Sequence, residues 1–135
     1  MPIENNVEPL NMSFAISRVR ANDRNFTAAH TEISNNSNAS LQPASLWGVF
    51  HGLFGLASNE LVVVSVGATE NVHTNLLTLD SVAHCESLQL EATVRPVTEE
   101  PVSREGLYVF RFFDVAHKDV EEIADLSRVA WQSFE

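Results

Sequence analysis

Two arginines, Arg18 and Arg111, occupy matching places in two similar stretches of the sequence. The stretches are Ser13-Phe-Ala-Ile-Ser-Arg-Val-Arg20 and Gly106-Leu-Tyr-Val-Phe-Arg-Phe-Phe113, which begin 93 residues apart. A guanidinium group can hold a carboxylate or a phosphate through two parallel hydrogen bonds, and it also forms internal ion pairs with acidic side chains. The two arginines therefore indicate either an anion site or structural ion pairs.

A tryptophan and a histidine form a second candidate site. Trp47, Val49 and His51 alternate along a predicted strand, which would place them on the same side of it. A histidine beside an aromatic wall can accept or donate a proton near neutral pH. The alternative is a hydrogen-bonded sheet residue without chemistry. His51 is the candidate for catalysis, and Arg18, Trp47, His51 and Arg111 are the candidates for ligand binding.

The sequence His84-Cys85-Glu86 is the place where possible metal ligands adjoin. Adjacent side chains point in different directions, and no second pair at metal-binding spacing supports the group. We therefore predict a buried thiol and no metal site. The sequence also lacks a glycine-rich phosphate loop and a Gly-x-Ser-x-Gly elbow, so we expect no cofactor.

Hydrophobic periodicity predicts the elements that position these residues. Strands are predicted at 12–21, 46–54, 61–66 and 88–97, with one helix around 26–33 and another from 69–71 to 83. The order strand, helix, strand, strand, helix, strand is that of the ferredoxin-like fold. The predicted class is therefore α+β, with an antiparallel sheet and both helices on one face.

The second copy of the repeated pattern predicts an additional strand at 106–115, followed by a helix at 117–134. Such repetition indicates a duplicated supersecondary unit. We expect the helix to dock on apolar surface through one stripe, made of Val120, Ile123, Ala124, Ala130, Trp131 and Phe134. The predicted organisation is a flexible N-terminal arm at 1–11 and a single domain at 12–135, with its core at 12–97 and the extra strand and helix at 106–134.

The charge balance bears on possible partners. The 135 residues include 18 acidic and 8 basic side chains, for a net charge of −10. This charge repels phosphate backbones and anionic lipids, so we expect neither nucleic acid nor membrane as a partner. Cys85 cannot form an internal disulfide, and the N-terminal residues do not resemble a signal peptide. A cytoplasmic location is predicted.

Two strands and one hairpin of this sequence resemble the dimeric α/β-barrel superfamily, and within it most of all the NIPSNAP-type proteins. The resemblance rests on the two strands with Arg18 and Arg111 at mid-strand and on the hairpin Trp47-Gly-Val-Phe-His-Gly-Leu-Phe-Gly-Leu-Ala-Ser-Asn-Glu-Leu61. NIPSNAP-type chains resemble two complete tandem units, whereas no hairpin follows the second unit here. The resemblance therefore implies an incomplete second unit.

The resemblance implies a homodimer in which the arginine-bearing sheet face lines a cavity between two sheets. Arg18 and Arg111 could then clamp a small apolar or carboxylate-bearing molecule. One alternative is a cofactor-independent monooxygenase or isomerase acting on an aromatic or polyketide-like substrate, with His51 as proton acceptor and an arginine as anion stabiliser. Another is a structural fragment without a ligand.

Overall fold

The computed structural model describes residues 12–36 and 40–134. Strands β1 (Ser13–Ala21), β2 (Ser45–His51), β3 (Glu60–Val66) and β4 (Val82–Glu91) form an antiparallel sheet in the order β2-β3-β1-β4. Helix α1 (Thr27–Asn35) follows β1 and helix α2 (Val72–Leu77) follows β3, which completes the ferredoxin-like order. The predicted α+β class is confirmed. The predicted arm at 1–11 lies outside the described residues.

Strand β1 is one of the two inner strands, and both sheet faces can be described from it. It pairs with β3 on one side and β4 on the other. Its side chains alternate, so Ala15, Ser17 and Val19 are buried on one face, while Phe14 belongs to a cluster on the other. Each face therefore has its own packing partners.

The main core lies between the sheet and helices α1 and α2. Its fully buried side chains come from both layers and include Val19, Ile33, Leu61, Val63, Val72 and Leu76. Helices with one apolar stripe are stabilised mainly by such packing and not by intrinsic propensity. The core therefore fixes both helices on one face of the sheet, the helix face.

A carboxylate joins α1 to the start of β4. The Glu32 side chain accepts hydrogen bonds from the backbone N–H of Ser81, at 3.0 Å, and from the Ser81 hydroxyl. The hydrogen bond from the Ser81 side chain is the largest cause of the lowered pKa of Glu32. The ionised carboxylate therefore stabilises this junction.

Two predicted boundaries were wrong in this part of the chain. The last core strand is Val82–Glu91 and not 88–97, and α2 ends at Leu77 so that Ala83 belongs to β4. Register with β1 explains the difference, because β1 pairs from Ser13↔Glu91 to Ala21↔Val82. The apolar spacing of Leu76, Leu79 and Ala83 continued a helical pattern, but strand pairing takes precedence over it.

The additional strand predicted at 106–115 is not formed within the single chain. Residues 107–116 have no helix or strand assignment, although their apolar and aromatic content is typical of a strand. No backbone-to-backbone hydrogen bond joins residues 103–115 to any part of the chain that the structure describes. A strand needs a neighbour, and this segment has none among the residues that the structure describes.

The C-terminal helix α3 (Val120–Phe134) follows a 3₁₀ turn at His117–Asp119. Within the predicted stripe, Val120, Ile123 and Trp131 are 38%, 39% and 44% exposed, and the side chain of Phe134 lies outside the described part of the structure. The guanidinium of Arg95 lies 4.8 Å from the centre of the Trp131 ring, a cation–π contact. The expected docking of this helix on apolar surface is therefore only partial among the described residues, and removal of the ring should cost less than the loss of a fully enclosed one.

We predict that Leu61→Ala destabilises the protein far more than Leu126→Ala. Leu61 is 0% exposed in the helix-face core, whereas Leu126 on α3 is 64% exposed. The buried change creates a cavity and should cost about 2–5 kcal/mol, while the exposed one should stay within about 0.5 kcal/mol. Urea unfolding of both variants measures the difference. Equal losses would contradict this description of the core.

Candidate functional site

The sheet face opposite α1 and α2 carries the candidate site, and we call it the open face. It presents Phe14, Ile16, Arg18 and Arg20 from β1, because these residues alternate with the buried Ala15, Ser17 and Val19. Their partners in β3 and β4 include Val62, Val64, Val66, His84, Glu86, Leu88 and Leu90. The face is charged at one end of β1 and apolar at the other.

The charged end is a shallow depression of about 310 Å³. Its lining consists of Arg18, Arg20, Glu60, His84 and Glu86. The Nε2 atom of His84 lies 3.7 Å from a carboxylate oxygen of Glu86. Two arginines and a histidine beside two carboxylates make a site that can exchange one anionic partner for another.

Arg18 is already paired with Glu60. Its Nε and Nη2 atoms donate to the two carboxylate oxygens at 2.8 and 3.0 Å, a bidentate arrangement. The Arg18 hydrogen bond is the largest cause of the lowered pKa of Glu60, and the backbone N–H of Ala57 contributes as well. The structural ion pair considered from the sequence is therefore present. Arg20 donates no hydrogen bond to any residue that the structure describes.

The apolar end contains a smaller pocket of about 180 Å³. Its walls include Phe14, Ile16, Trp47, Leu90 and Phe110. The rings of Phe14 and Trp47 meet edge to face with centroids 5.9 Å apart. The indole N–H of Trp47 is buried without a hydrogen-bond partner among the described residues. An unpaired buried donor is costly, so an acceptor that reached this N–H would be favoured.

A β-bulge at Trp47 places the side chains of Trp47 and His51 on opposite faces of the sheet. Leu46 pairs with Ser65 and Gly48 with Val64, so Trp47 is an extra residue in β2. Trp47 joins the cluster on the open face, whereas Val49 packs against the helix-face core. The prediction that Trp47, Val49 and His51 share one side was therefore wrong, because alternation fails at the bulge.

His51 lies on the helix face at the end of β2. It pairs with the buried Leu61 and stacks on Phe26, with ring centroids 4.7 Å apart and planes inclined by 5°. Arg18 points to the open face, so the structure does not bring His51 and Arg18 into one cavity. The proposed catalytic pairing of His51 with Arg18 has no geometric support.

Arg111 lies in the exposed 107–116 stretch and not in the sheet. The symmetry between Arg18 and Arg111 that the repeat suggested is therefore absent from the single chain. Neighbouring Tyr108 and Phe110 contact Phe50 of β2, each with centroids 5.1 Å apart. Of the four predicted ligand-binding residues, Arg18 and Trp47 lie on the open face.

Arg20 and His84 were not predicted from the sequence as ligand-binding residues. Both lie on the open face, since Arg20 pairs with His84 across β1 and β4. The signal was present as alternation in β4, where His84, Glu86, Leu88 and Leu90 occupy every second position. It was overlooked because the strand was predicted to begin at residue 88.

Cys85 belongs to a polar cluster on the helix face. Its thiol lies 3.5 Å from the Ser87 hydroxyl, which also contacts the Ser17 hydroxyl at 2.8 Å and His73 Nδ1 at 3.1 Å. Burial raises the pKa of the Cys85 thiol, so the thiolate is disfavoured. Within residues 12–36 and 40–134, no group of three His, Cys, Asp or Glu side chains is placed to hold a metal ion.

Comparisons with known proteins give limited information. No family model matches the chain, and no curated protein does. One similar solved structure is a protein from Chloroflexus aurantiacus J-10-fl, provisionally named an antibiotic biosynthesis monooxygenase. It shares 16% identity at a TM-score of 0.41, covering 71% of this chain and 98% of that one. The NIPSNAP-type resemblance stays a prediction.

Among the helices that the structure describes, none combines the length and the apolar character needed to cross a membrane.

We predict that Glu60→Gln lowers stability at neutral pH and that the loss shrinks in acid. Folding lowers the pKa of the Glu60 carboxyl from its ordinary value of 4.5. The ionised carboxylate therefore stabilises the folded protein at pH values above 4.5, and this stabilisation is lost as the pH falls through the folded-state pKa. Urea unfolding at pH 7 and in acid tests the trend. Glu99→Gln, at an exposed position, is the control. A loss that did not depend on pH would contradict the ionic role.

Proposed function

We propose that this chain is a homodimeric binding domain whose open face holds a small amphipathic carboxylate. The observation that carries the proposal is the division of that face into a charged end and an apolar end along β1. The charged depression is lined by two arginines, a histidine and two carboxylates, and the apolar pocket is lined mainly by aromatic and aliphatic side chains, together with Glu91 and Arg95. A molecule with an anionic head and an apolar body complements both ends.

Arg20 is the principal contact for the head. Arg18 commits two of its nitrogen atoms to Glu60 and retains Nη1 for a further acceptor. Arg20 lies two residues further along the same face, in the same depression. A carboxylate between the two guanidinium groups would receive charge-assisted hydrogen bonds without breaking the Arg18–Glu60 pair.

The apolar end supplies the rest of the binding free energy. Ile16 lies between Phe14 and Arg18 on the same row of β1 and lines the apolar pocket, so a ligand body can follow this row from one end to the other. Each methylene group removed from water contributes roughly 0.8 kcal/mol. Affinity should therefore grow with chain length until the pocket is filled.

A second copy of the chain is the proposed cover for this face. Leu88 on β4 is 54% exposed beside Ile16, its pairing partner in β1. Apolar sheet surface of this kind is typical of an interface. A two-fold pair of sheets would bury it and exclude water from the ligand, as expected for a cavity between subunits.

The enzymatic alternative, a monooxygenase or isomerase, requires an acid–base group beside the ligand. His51 is on the helix face, whereas His84 lines the charged depression with Arg18 and Arg20. If the domain has such an activity, His84 is the better candidate for proton transfer. The alternative without any ligand predicts that the open face binds no apolar anion.

We predict that 8-anilinonaphthalene-1-sulfonate, an apolar anion, binds the open face and that its fluorescence rises on binding. Decanoate should displace this dye better than decanol does, because only decanoate carries a carboxylate. Arg20→Gln should weaken decanoate binding about tenfold or more, since a hydrogen bond to a charged group contributes about 1.5–3 kcal/mol. Arg24→Gln, outside both pockets, is the matched control.

Equal displacement by decanol, or equal effects of the two arginine variants, would contradict a carboxylate head site. Absence of dye binding at any tested concentration would favour the alternative without a ligand.

We predict that the protein sediments at micromolar concentration as a dimer of the 14.9 kDa chain. Standard stable interfaces bury about 1,600 Å² in total. Leu88→Glu should dissociate the dimer because it places a charge on the open face, whereas Leu77→Glu on exposed α2 surface should not. A monomer at this concentration, or equal effects of both changes, would overturn the proposed cover.

A further inference from the structure

The charged depression on the open face holds as much negative as positive charge. Arg18 and Arg20 contribute two positive charges and Glu60 and Glu86 two negative ones, while a histidine such as His84 is largely uncharged above neutral pH. A site that attracts a simple anion is expected to carry an excess of positive charge. The whole chain has a net charge of −10, which also opposes the approach of an anion. The depression therefore matches a ligand head whose own charges sum to zero.

One ion pair in this depression is already formed within the chain. Arg18 donates to both carboxylate oxygens of Glu60, at 2.8 and 3.0 Å. In the register of β1 with β4, Arg18 lies opposite Glu86, but its guanidinium is turned to Glu60 of β3 on the other side. The depression therefore keeps one cation and one anion for other partners.

Arg20 and Glu86 are the two remaining charged groups. The Glu86 side chain is 71% exposed, and its one polar neighbour among the described side chains is Nε2 of His84, at 3.7 Å. Arg20 lies opposite His84, two residues from Glu86 along β4. Such diagonal neighbours have α-carbons about 7–8 Å apart. The guanidinium and the carboxylate can therefore hold a small group between them.

We propose that the ligand head is an α-amino carboxylate, so that the open face binds an amino acid with an apolar side chain. This inference rests on the proposed function, from which it takes the carboxylate contact at Arg20 and the apolar pocket. The ligand ammonium group would donate to the carboxylate of Glu86. That carboxylate would repel the head of a fatty acid, whereas an amino acid makes use of it.

The layout of the open face places both ligand charges at the same end. The apolar pocket lies at the opposite end of β1, and eight of its ten lining residues are uncharged; the other two, Glu91 and Arg95, have opposite charges. An α-amino acid carries both charges on one carbon, so its side chain can enter this pocket. An ω-amino acid has the same charges but would carry one of them into the pocket, where removal from water is costly. The geometry therefore favours α-amino acids.

Displacement of 8-anilinonaphthalene-1-sulfonate by three ligands of equal chain length tests the proposal at about pH 8, where histidine is uncharged. 2-Aminooctanoate should bind about fivefold more tightly than octanoate, the upper range for an exposed ion pair. 8-Aminooctanoate is an isomer of 2-aminooctanoate with its charges at opposite ends. It should bind more weakly than either of the other two ligands.

Three variants assign the contacts. Glu86→Gln should weaken 2-aminooctanoate binding about fivefold and strengthen octanoate binding, because the carboxylate attracts the ammonium group and repels a bare anion. Arg20→Gln should weaken both ligands alike, since both present a carboxylate to it. Glu70→Gln, at an exposed position outside both pockets, is the matched control. The dye affinity of each variant is measured separately, so that displacement can be converted to ligand affinity.

The outcomes separate this inference from the proposed function. Octanoate binding as tightly as 2-aminooctanoate would overturn the amino acid head and leave the carboxylate-binding function intact. A preference for 2-aminooctanoate that persisted in Glu86→Gln would overturn the role of Glu86, and equal binding of 8-aminooctanoate would overturn the placement of both charges at one end. Failure of all three ligands to displace the dye would overturn the proposed function as well.

Discussion

The pairing of β1 with strands on both sides is the constraint on which the rest of this structure depends. Because β1 is held in register by β3 and β4, each of its side chains is assigned to one face or the other. Ala15 and Val19 enter the core beneath the helices, while Arg18 and Arg20 must face away from it. The candidate site follows from this division, since the charged side chains lie on the face that α1 and α2 leave uncovered.

The ion pair between Arg18 and Glu60 adds a second level of organisation. Glu60 begins β3 and also accepts the N–H of Ala57, so its carboxylate joins the hairpin loop to the central strand. Arg18 is thereby held in one orientation on the open face. A guanidinium that is already fixed loses less conformational entropy when a further anion binds. The structural role of this arginine is therefore compatible with a binding role.

Sequence periodicity predicted the fold class because its signals were local. The alternation of β1 and the β-branched run of β3 indicated their strands within a few residues of the observed ends. The predicted position of β4 was wrong because the polar first half of this strand, with His84 and Glu86, resembles a loop until its pairing with β1 is known. Its open-face residues were lost with it, which is why His84 was missed.

The remaining errors concern one segment and one helix whose packing surface the sequence does not specify, and one extra residue in β2. The 107–116 stretch has a strand-like composition, but composition does not specify which edge a strand joins. The docking expected for α3 is only partial for a similar reason, since an apolar stripe does not identify the surface that covers it. The position of His51 could not be derived because the bulge at Trp47 leaves no mark in the alternation of the sequence.

The bulge also changes how sequence variation in β2 should be interpreted. Leu46 and Val49 share the helix face although they are three positions apart, whereas Trp47 and Gly48 are consecutive and both belong to the open-face side. In relatives that retain the bulge, apolar residues should therefore be retained at a spacing of three, which within a strand imitates a helical period. A relative that lost Trp47 would recover regular alternation, and the apolar pocket would lose the indole from its wall while Phe14 and Phe110 remained.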